Sequence, residues 1–168
     1  MKLIIHDLLG EEAMLPALLP SDNRQVISDN GRIKPCIGCF GCWTKTPGEC
    51  LIRNDGYNCI GRQLGHCDEL WVISECFYGA YSPFVKNVFD RSIGYLLPFF
   101  RIKNGEMHHI IRYDKRFTIK VFFYGENITP EEQATARGIL HGNFINLDCQ
   151  PDDILFFNSK EELKGALQ

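Results

Sequence analysis

The chain has 168 residues, 45% of them hydrophobic and 23% charged, which supplies enough apolar material for a globular core, and the length suits one domain over 1–168. A net charge of −3 and a pI near 5.9, with no long Lys/Arg run and no stacking ladder, argue against a nucleic acid partner, because phosphate binding wants a basic surface. No stretch approaches the roughly 20 apolar residues that span a bilayer, and residues 1–7 lack the apolar core and cleavage site of a signal peptide, so no membrane partner and a cytoplasmic location are expected. In that reducing setting the eight cysteines are expected as thiols, metal ligands or redox groups and not as a disulfide framework.

In chain order, residues 1–6 read as a short buried strand and 10–19 as a short helix with Glu11 and Glu12 in its first turn, shortened by Pro16 and ended by Pro20. Residues 25–28 read as a second strand closed by Asn30-Gly31. The stretch 34–55 reads as a loop, because Gly38, Gly41, Pro47 and Gly48 break any period. A helix is expected over 55–66 with Asn54 or Asp55 as its cap, and the apolar run 69–74 has the pattern of a strand buried on both faces. Ser82 and Pro83 open a helix over 82–93. Residues 98–116 are too long for a tight connection and read as a lid or an interface arm. Residues 117–124 give the clearest strand, and Thr129-Pro130-Glu131-Glu132 is a capping box that starts a helix running to about Leu140. Residues 144–148 and 154–157 are strand candidates, and 159–167 is a closing helix. Strand alternating with helix predicts a parallel sheet covered on both faces, and five strands suit a flavodoxin-like doubly wound α/β fold.

Four cysteines sit in the loop at Cys36, Cys39, Cys42 and Cys50, with spacing C-x2-C-x2-C-x7-C. Four thiolates so close can wrap a [4Fe–4S] cluster. Zinc also accepts four thiolates, and the plainest alternative is a tight Gly-rich loop of reduced cysteines packed down by Phe40 and Trp43. Cys59, Cys67, Cys76 and Cys149 lie on apolar faces or strand ends and are expected to be inert, with Cys76 set apart by its place in a strand-end turn.

The cysteine loop, together with residues 74–82, Lys86 and Asp90-Arg91, resembles the NAD(P)H-dependent FMN reductase family of flavodoxin-like proteins, and especially its iron–sulfur flavoprotein branch. Gly79, Ser82, Lys86, Asp90 and Arg91 match the family's turn and helix, and Phe77 takes the place of its Tyr. The resemblance implies FMN at the carboxyl edge of the sheet, held by Glu75, Cys76, Phe77, Tyr78, Gly79 and Ala80 of one turn and Tyr124, Gly125, Glu126 and Asn127 of another. Phe77, Tyr78 or Tyr124 would pack on the ring, with NAD(P)H as hydride source. It also implies a cluster on Cys36, Cys39, Cys42 and Cys50. The sequence departs from the family where the phosphate would sit: between Asp7 and Leu19 there is no hydroxyl or cation, and Glu11 and Glu12 repel a dianion. Glu75 replaces the family's Pro and adds another acid.

The functional expectation is an FMN-dependent NAD(P)H oxidoreductase acting on a small-molecule redox substrate. The alternatives are an iron–sulfur or thiol-based module that has lost the flavin and acts as an electron carrier, with an electron-transfer partner, or as a sensor, and a cofactor-free interaction protein. His108-His109 is read either as a substrate, nicotinamide or cross-dimer contact or as a solvated tip, and His6 as a structural histidine. Lys86, Asp90 and Arg91 are read as an ion-pair set on the helix surface, and Pro98-Phe99-Phe100 as an apolar patch for a homodimer.

Overall fold

The computed structural model describes residues 1–10 and 23–167. The helix expected over 10–19 lies outside the described residues except for Gly10. Five strands form a parallel sheet in the order β2-β1-β3-β6-β7, the doubly wound flavodoxin-like arrangement. These are β1 Lys2–His6, β2 Arg24–Ser28, β3 Glu69–Glu75, β6 Thr118–Tyr124 and β7 Gln150–Phe157. The inner strands alternate between two buried clusters. Leu3, Ile5, Leu70, Val72, Ile119, Val121 and Phe123 face one layer, and Ile4, Ile73, Phe122 and Tyr124 face the other. The first layer holds helices α2 Ile60–His66, α3 Pro83–Arg91 and α4 Pro130–Leu147, and the second holds α5 Lys160–Ala166.

The expected caps form. Ser82 accepts from the Val85 N–H at the start of α3, and Thr129 and Glu132 make the reciprocal bonds of a capping box on α4. Three element readings are corrected. The strand expected over 144–148 is the last turn of α4: Phe144 and Leu147 continue the buried stripe of Ala136 and Leu140, and Asp148 ends the helix in a left-handed conformation at φ 52°. The helix expected from Asp55 begins only at Ile60, because Gly56 turns the chain at φ +88° and the Asp55 carboxylate is engaged elsewhere. The stretch 34–55 is not wholly irregular, since Gly41–Thr44 forms one helical turn, α1.

The long excursion is a β-hairpin, β4 Leu96–Lys103 and β5 Glu106–Ile111, entered through a 3-10 turn at Ile93–Tyr95. Its two-residue connection is Asn104-Gly105, both at positive φ, which is the chemistry of a type I′ turn. Asp148 fastens it: Lys103, Arg101 and Arg116 all pair with this carboxylate. Burial works against the carboxylate, but the three cationic hydrogen bonds outweigh it and hold Asp148 well below the usual range. Replacing Asp148 by Asn should cost about 1–3 kcal/mol in urea unfolding and open the hairpin to limited proteolysis before the sheet. Unchanged protease resistance would contradict the fastening.

Candidate functional site

The cysteine loop is built around Arg91, in the last turn of α3. Its side chain is fully buried, as is that of Asp55. Nη1 donates to Asp55 Oδ2 at 2.6 Å and to the Lys34 carbonyl, Nη2 donates to the Ile52 carbonyl and Asp55 Oδ1, and Nε donates to Cys50 Sγ at 3.0 Å. Asp55 also accepts from the Lys34 and Tyr57 N–H groups. Burial alone would raise the Asp55 pKa, yet the hydrogen bonds from Arg91, Lys34 and Tyr57 bring it down to about 2. The expectation that Arg91 lies on the helix surface is therefore wrong. Only Lys86 and Asp90 form an exposed pair, at 2.6 Å.

Close backbone packing completes the frame. A Cβ on Gly61 would meet the Gly48 carbonyl oxygen at 2.8 Å, and one on Gly94 would meet the Gly48 carbonyl carbon at 3.0 Å, so α2 and the 3-10 turn press directly on the loop. Trp43 stacks on Phe40 and donates Nε1–H to the Ile93 carbonyl. The row of rings continues through His109 to Phe100 on the hairpin.

This frame brings the four cysteines around one enclosed cavity, walled also by Leu51, Ile52, Arg91 and Ile93. Cys42 and Cys50 are buried, and Cys36 and Cys39 are exposed. Burial pushes the Cys42 thiol up, and so do Cys50, Cys36 and Cys39, which places the other three sulfurs within its electrostatic reach. Among the described residues no three of His, Cys, Asp and Glu converge on a point where a single ion would sit, so a zinc site is not preformed. A cluster spreads its ligands around a core, and the donor chemistry fits it. The cavity is about 30 Å³, room for a water and not for a four-iron core. Admitting one requires the exposed Cys36–Cys39 side to move outward.

At the carboxyl edge of the sheet the expected flavin residues are divided. Glu75, Cys76, Tyr124, Gly125 and Glu126 line a cavity of about 460 Å³ with Glu132, Ser159, Lys160 and Glu161. Ala80 belongs to a separate, mainly apolar groove of about 620 Å³ between α3 and α4, with Tyr81, Phe89, Ile139 and Cys36. Phe77, Tyr78, Gly79 and Asn127 line neither of these two cavities. Tyr124 is buried, its hydroxyl donates to Asp7 Oδ1 at 2.9 Å, and Lys160 Nζ lies over its ring, 5.4 Å from the centroid. Asp7 Oδ2 accepts from the Glu75 N–H, so one carboxylate ties the ends of β1, β3 and β6. Other edge donors are also engaged: Cys76 N–H on the Tyr124 carbonyl, Phe77 and Ala80 on each other, and Gly125 N–H on the Phe157 carbonyl. Phe77 and Tyr78 remain as an exposed pair with centroids 4.9 Å apart, and Tyr78 is 82% exposed at φ 51°.

The other singled-out residues are structural in their contacts. His6 is buried, and its Nδ1 accepts from the Leu8 N–H. His108 bonds Asn146 and Glu106, and His109 Nδ1 bonds the Leu97 carbonyl, so the pair fastens the hairpin and is not a solvated tip. Cys67 and Cys149 are buried and pushed up to about 12 by burial, whereas Cys59 and Cys76 are only half-buried. Asp7, Asp55 and the central place of Arg91 were missed. The available signal was an acid at the end of the first strand, Asp7, and an acid closing the cysteine loop, Asp55; nothing in sequence links Asp55 to Arg91, 36 positions on.

No protein-family model and no curated protein matches the chain. Solved structures do. An FMN-dependent NADH-azoreductase from Bacillus anthracis in complex with FMN superposes with TM-score 0.57 and 13% identity over 99% of this chain and 93% of that one. The Trp repressor binding protein from Bacillus subtilis gives 0.54 and 10% over 99% and 93%. A thermophilic tryptophan halogenase from Streptomycin violaceusniger gives 0.55 and 10% over 99% and 94%. The likeness establishes the flavodoxin-like fold, and the differing descriptions leave activity to be argued from the residues of this chain. Among the described residues no helix is long and apolar enough to cross a membrane.

The Asp55 pKa is depressed, so its stabilisation is complete above the ordinary carboxylate range and is lost as pH falls through about 2. Unfolding free energy should therefore fall between about pH 5 and pH 2, with Asp55 contributing about 2 kcal/mol of the loss. Asp55→Asn should be less stable at pH 7 and flatter over that window in urea titrations. An unchanged slope would show that the pair adds nothing.

Proposed function

We propose that the chain is a flavodoxin-fold oxidoreductase of the NAD(P)H-dependent FMN reductase class, with the flavin ring at the turns 75–80 and 124–127. The observation that carries this reading is the exposed Phe77–Tyr78 pair just beyond β3, next to the point where the strand order reverses between β1 and β3. Two unburied aromatic rings at that edge suit a planar ring system. The azoreductase and its bound FMN support the same class. When bound, FMN supplies hydride acceptance from a nicotinamide and onward transfer to a small redox substrate. The protein's own part is an exposed edge-to-face aromatic pair, Phe77 and Tyr78, and a polar edge already fixed by Asp7. Glu75, Glu126, Glu132 and Glu161 outnumber Lys160 in the adjoining cavity, so its lining opposes a dianionic phosphate and makes the binding weak. Residues 11–22, where the family grips the phosphate, lie outside the described residues. The reading includes a cytoplasmic homodimer that covers the apolar hairpin residues Phe99, Phe100, Ile102 and Met107, all of them exposed.

Titration of FMN with the protein should quench flavin fluorescence at micromolar concentrations. Tyr78→Ala should weaken binding roughly 3–10-fold. The double variant Glu126→Gln/Glu132→Gln should tighten it roughly threefold. No quenching at high micromolar protein would sink the flavin reading.

A second reading is favoured by the four cysteines lining a single cavity: a [4Fe–4S] centre on Cys36, Cys39, Cys42 and Cys50 that serves an electron-transfer partner, with or without a flavin. Anaerobic reconstitution should give a brown protein with stoichiometric iron and sulfide, and Cys42→Ser should lose most of it. A colourless, iron-free product would remove this reading. Failure of both tests would leave an interaction protein on a flavodoxin-like fold.

A further inference from the structure

The groove between α3 and α4, at about 620 Å³, has the volume of a small-molecule pocket. Its charged lining residues, Lys86 and Asp90, pair with each other at 2.6 Å, so the lining carries no net charge. On one side Ile139, Asn143 and Leu147 recur at helical spacing, and a single stripe of α4 faces the groove. On the other, the rings of Tyr81 and Phe89 lie 5.0 Å apart and give an aromatic wall. Two of its polar side chains are engaged: Ser92 Oγ donates to the Phe89 carbonyl, and Asn146 Oδ1 meets His108 Nδ1 at 3.0 Å. Tyr81 and Asn143 differ. The Tyr81 hydroxyl is buried and has no hydrogen-bond partner among the described residues. Burial pushes its pKa up, and the nearby Asn143 amide acts in the opposite direction. Asn143 is half-buried and lines the groove, so its amide links the closed-off hydroxyl to the open space. A buried donor is costly to leave unpaired.

We propose that this groove is a binding site for a small uncharged aromatic carbonyl compound, oriented by Asn143 with Tyr81 behind it. An amide side chain offers one acceptor oxygen and two N–H donors. When the Tyr81 O–H donates to Asn143 Oδ1, the amide is fixed with Nδ2 toward the groove, and a ligand acceptor completes the chain of bonds. A carbonyl oxygen supplies that acceptor with no charge to desolvate, whereas a carboxylate would enter a groove whose one cation is already neutralised by Asp90. The ring of the ligand packs on Phe89, Ile139 and Leu147. Binding thus closes the gap in the hydrogen bonding of the wall and covers apolar surface in the same step. The site needs neither flavin nor cluster. Cys36, which is exposed, lines the same groove, so occupancy is felt at the cysteine loop.

The test is a pair of NMR titrations of the isotope-labelled full chain, one with 1-indanone and one with indane, which has the same rings and no carbonyl. 1-Indanone should shift the Asn143 side-chain amide and the backbone amides of Phe89, Ile139 and Cys36. It should bind about tenfold more tightly than indane, the scale of one hydrogen bond to an otherwise unpaired buried group. This comparison uses the native protein and does not depend on any variant folding. Asn143→Leu, which keeps the bulk of the side chain, should bring the two ligands to the same affinity. Tyr81→Phe removes a hydroxyl that has no partner to lose, so it should fold normally and narrow the preference to about threefold. The inference is overturned by no shift at millimolar 1-indanone, by equal affinities in the native protein, by shifts confined to the exposed hairpin residues, or by an undiminished preference in either folded variant. It is overturned equally if a second copy of the chain closes the groove, seen as a dimer in which the Phe89 and Ile139 amides do not respond. Each of these outcomes leaves the flavin and cysteine readings standing.

Discussion

The buried Arg91–Asp55 pair is the constraint on which the candidate site depends. One guanidinium, presented by the end of α3, reaches Lys34 at the start of the cysteine loop, Cys50 and Ile52 near its end, and Asp55 at its close. A loop of this length with so little regular structure would otherwise bear a large entropic cost of ordering. Removing one partner of a buried pair leaves an uncompensated charge, typically at a cost of about 3–5 kcal/mol, although a well-packed apolar replacement of both can be neutral. The pair is therefore better understood as a device for shape than as a store of stability. It gives the loop one conformation in which four thiols share a cavity.

The carboxyl edge of the sheet follows a different logic. Asp7 consumes the Tyr124 hydroxyl and the Glu75 N–H, and the turns that follow β3 and β6 satisfy many of their donors internally. An edge so occupied is rigid and already polar-satisfied, which leaves aromatic contact as its main remaining means of holding a ligand. The surrounding carboxylates then bias it against anions. The cysteine centre and the α3–α4 groove meet at Cys36, which lines both cavities, so a small molecule in the groove would lie beside the exposed side of the loop.

Much of the fold was legible because hydrophobic periodicity and capping chemistry are local signals. The run 69–74, the capping box at Thr129 and Ser82-Pro83 all led to the elements observed. The errors came from tertiary context. Phe144 and Leu147 look like a strand in isolation but extend a helical stripe set by Ala136 and Leu140. Asp55 looks like a cap until Arg91, 36 positions away, claims it. The hairpin has a local signal in Asn104-Gly105, a strong two-residue turn pair, but its flanking strands show little alternation. For the site, the sequence identified which cysteines and turns to examine. It could not show that the expected flavin residues separate into different surfaces, or that a matched Arg points inward, because those facts depend on how distant segments pack.

Amide hydrogen exchange in the native protein and in Arg91→Met tests the central claim most directly. If Arg91 holds the loop, exchange at Gly48 and Cys50, whose N–H groups bond the Cys42 and Asn58 carbonyls, should accelerate by orders of magnitude in the variant while the amides of β1, β3 and β6 stay protected. Equal protection of Gly48 and Cys50 in a folded variant would show that the loop is shaped without Arg91 and would contradict the account.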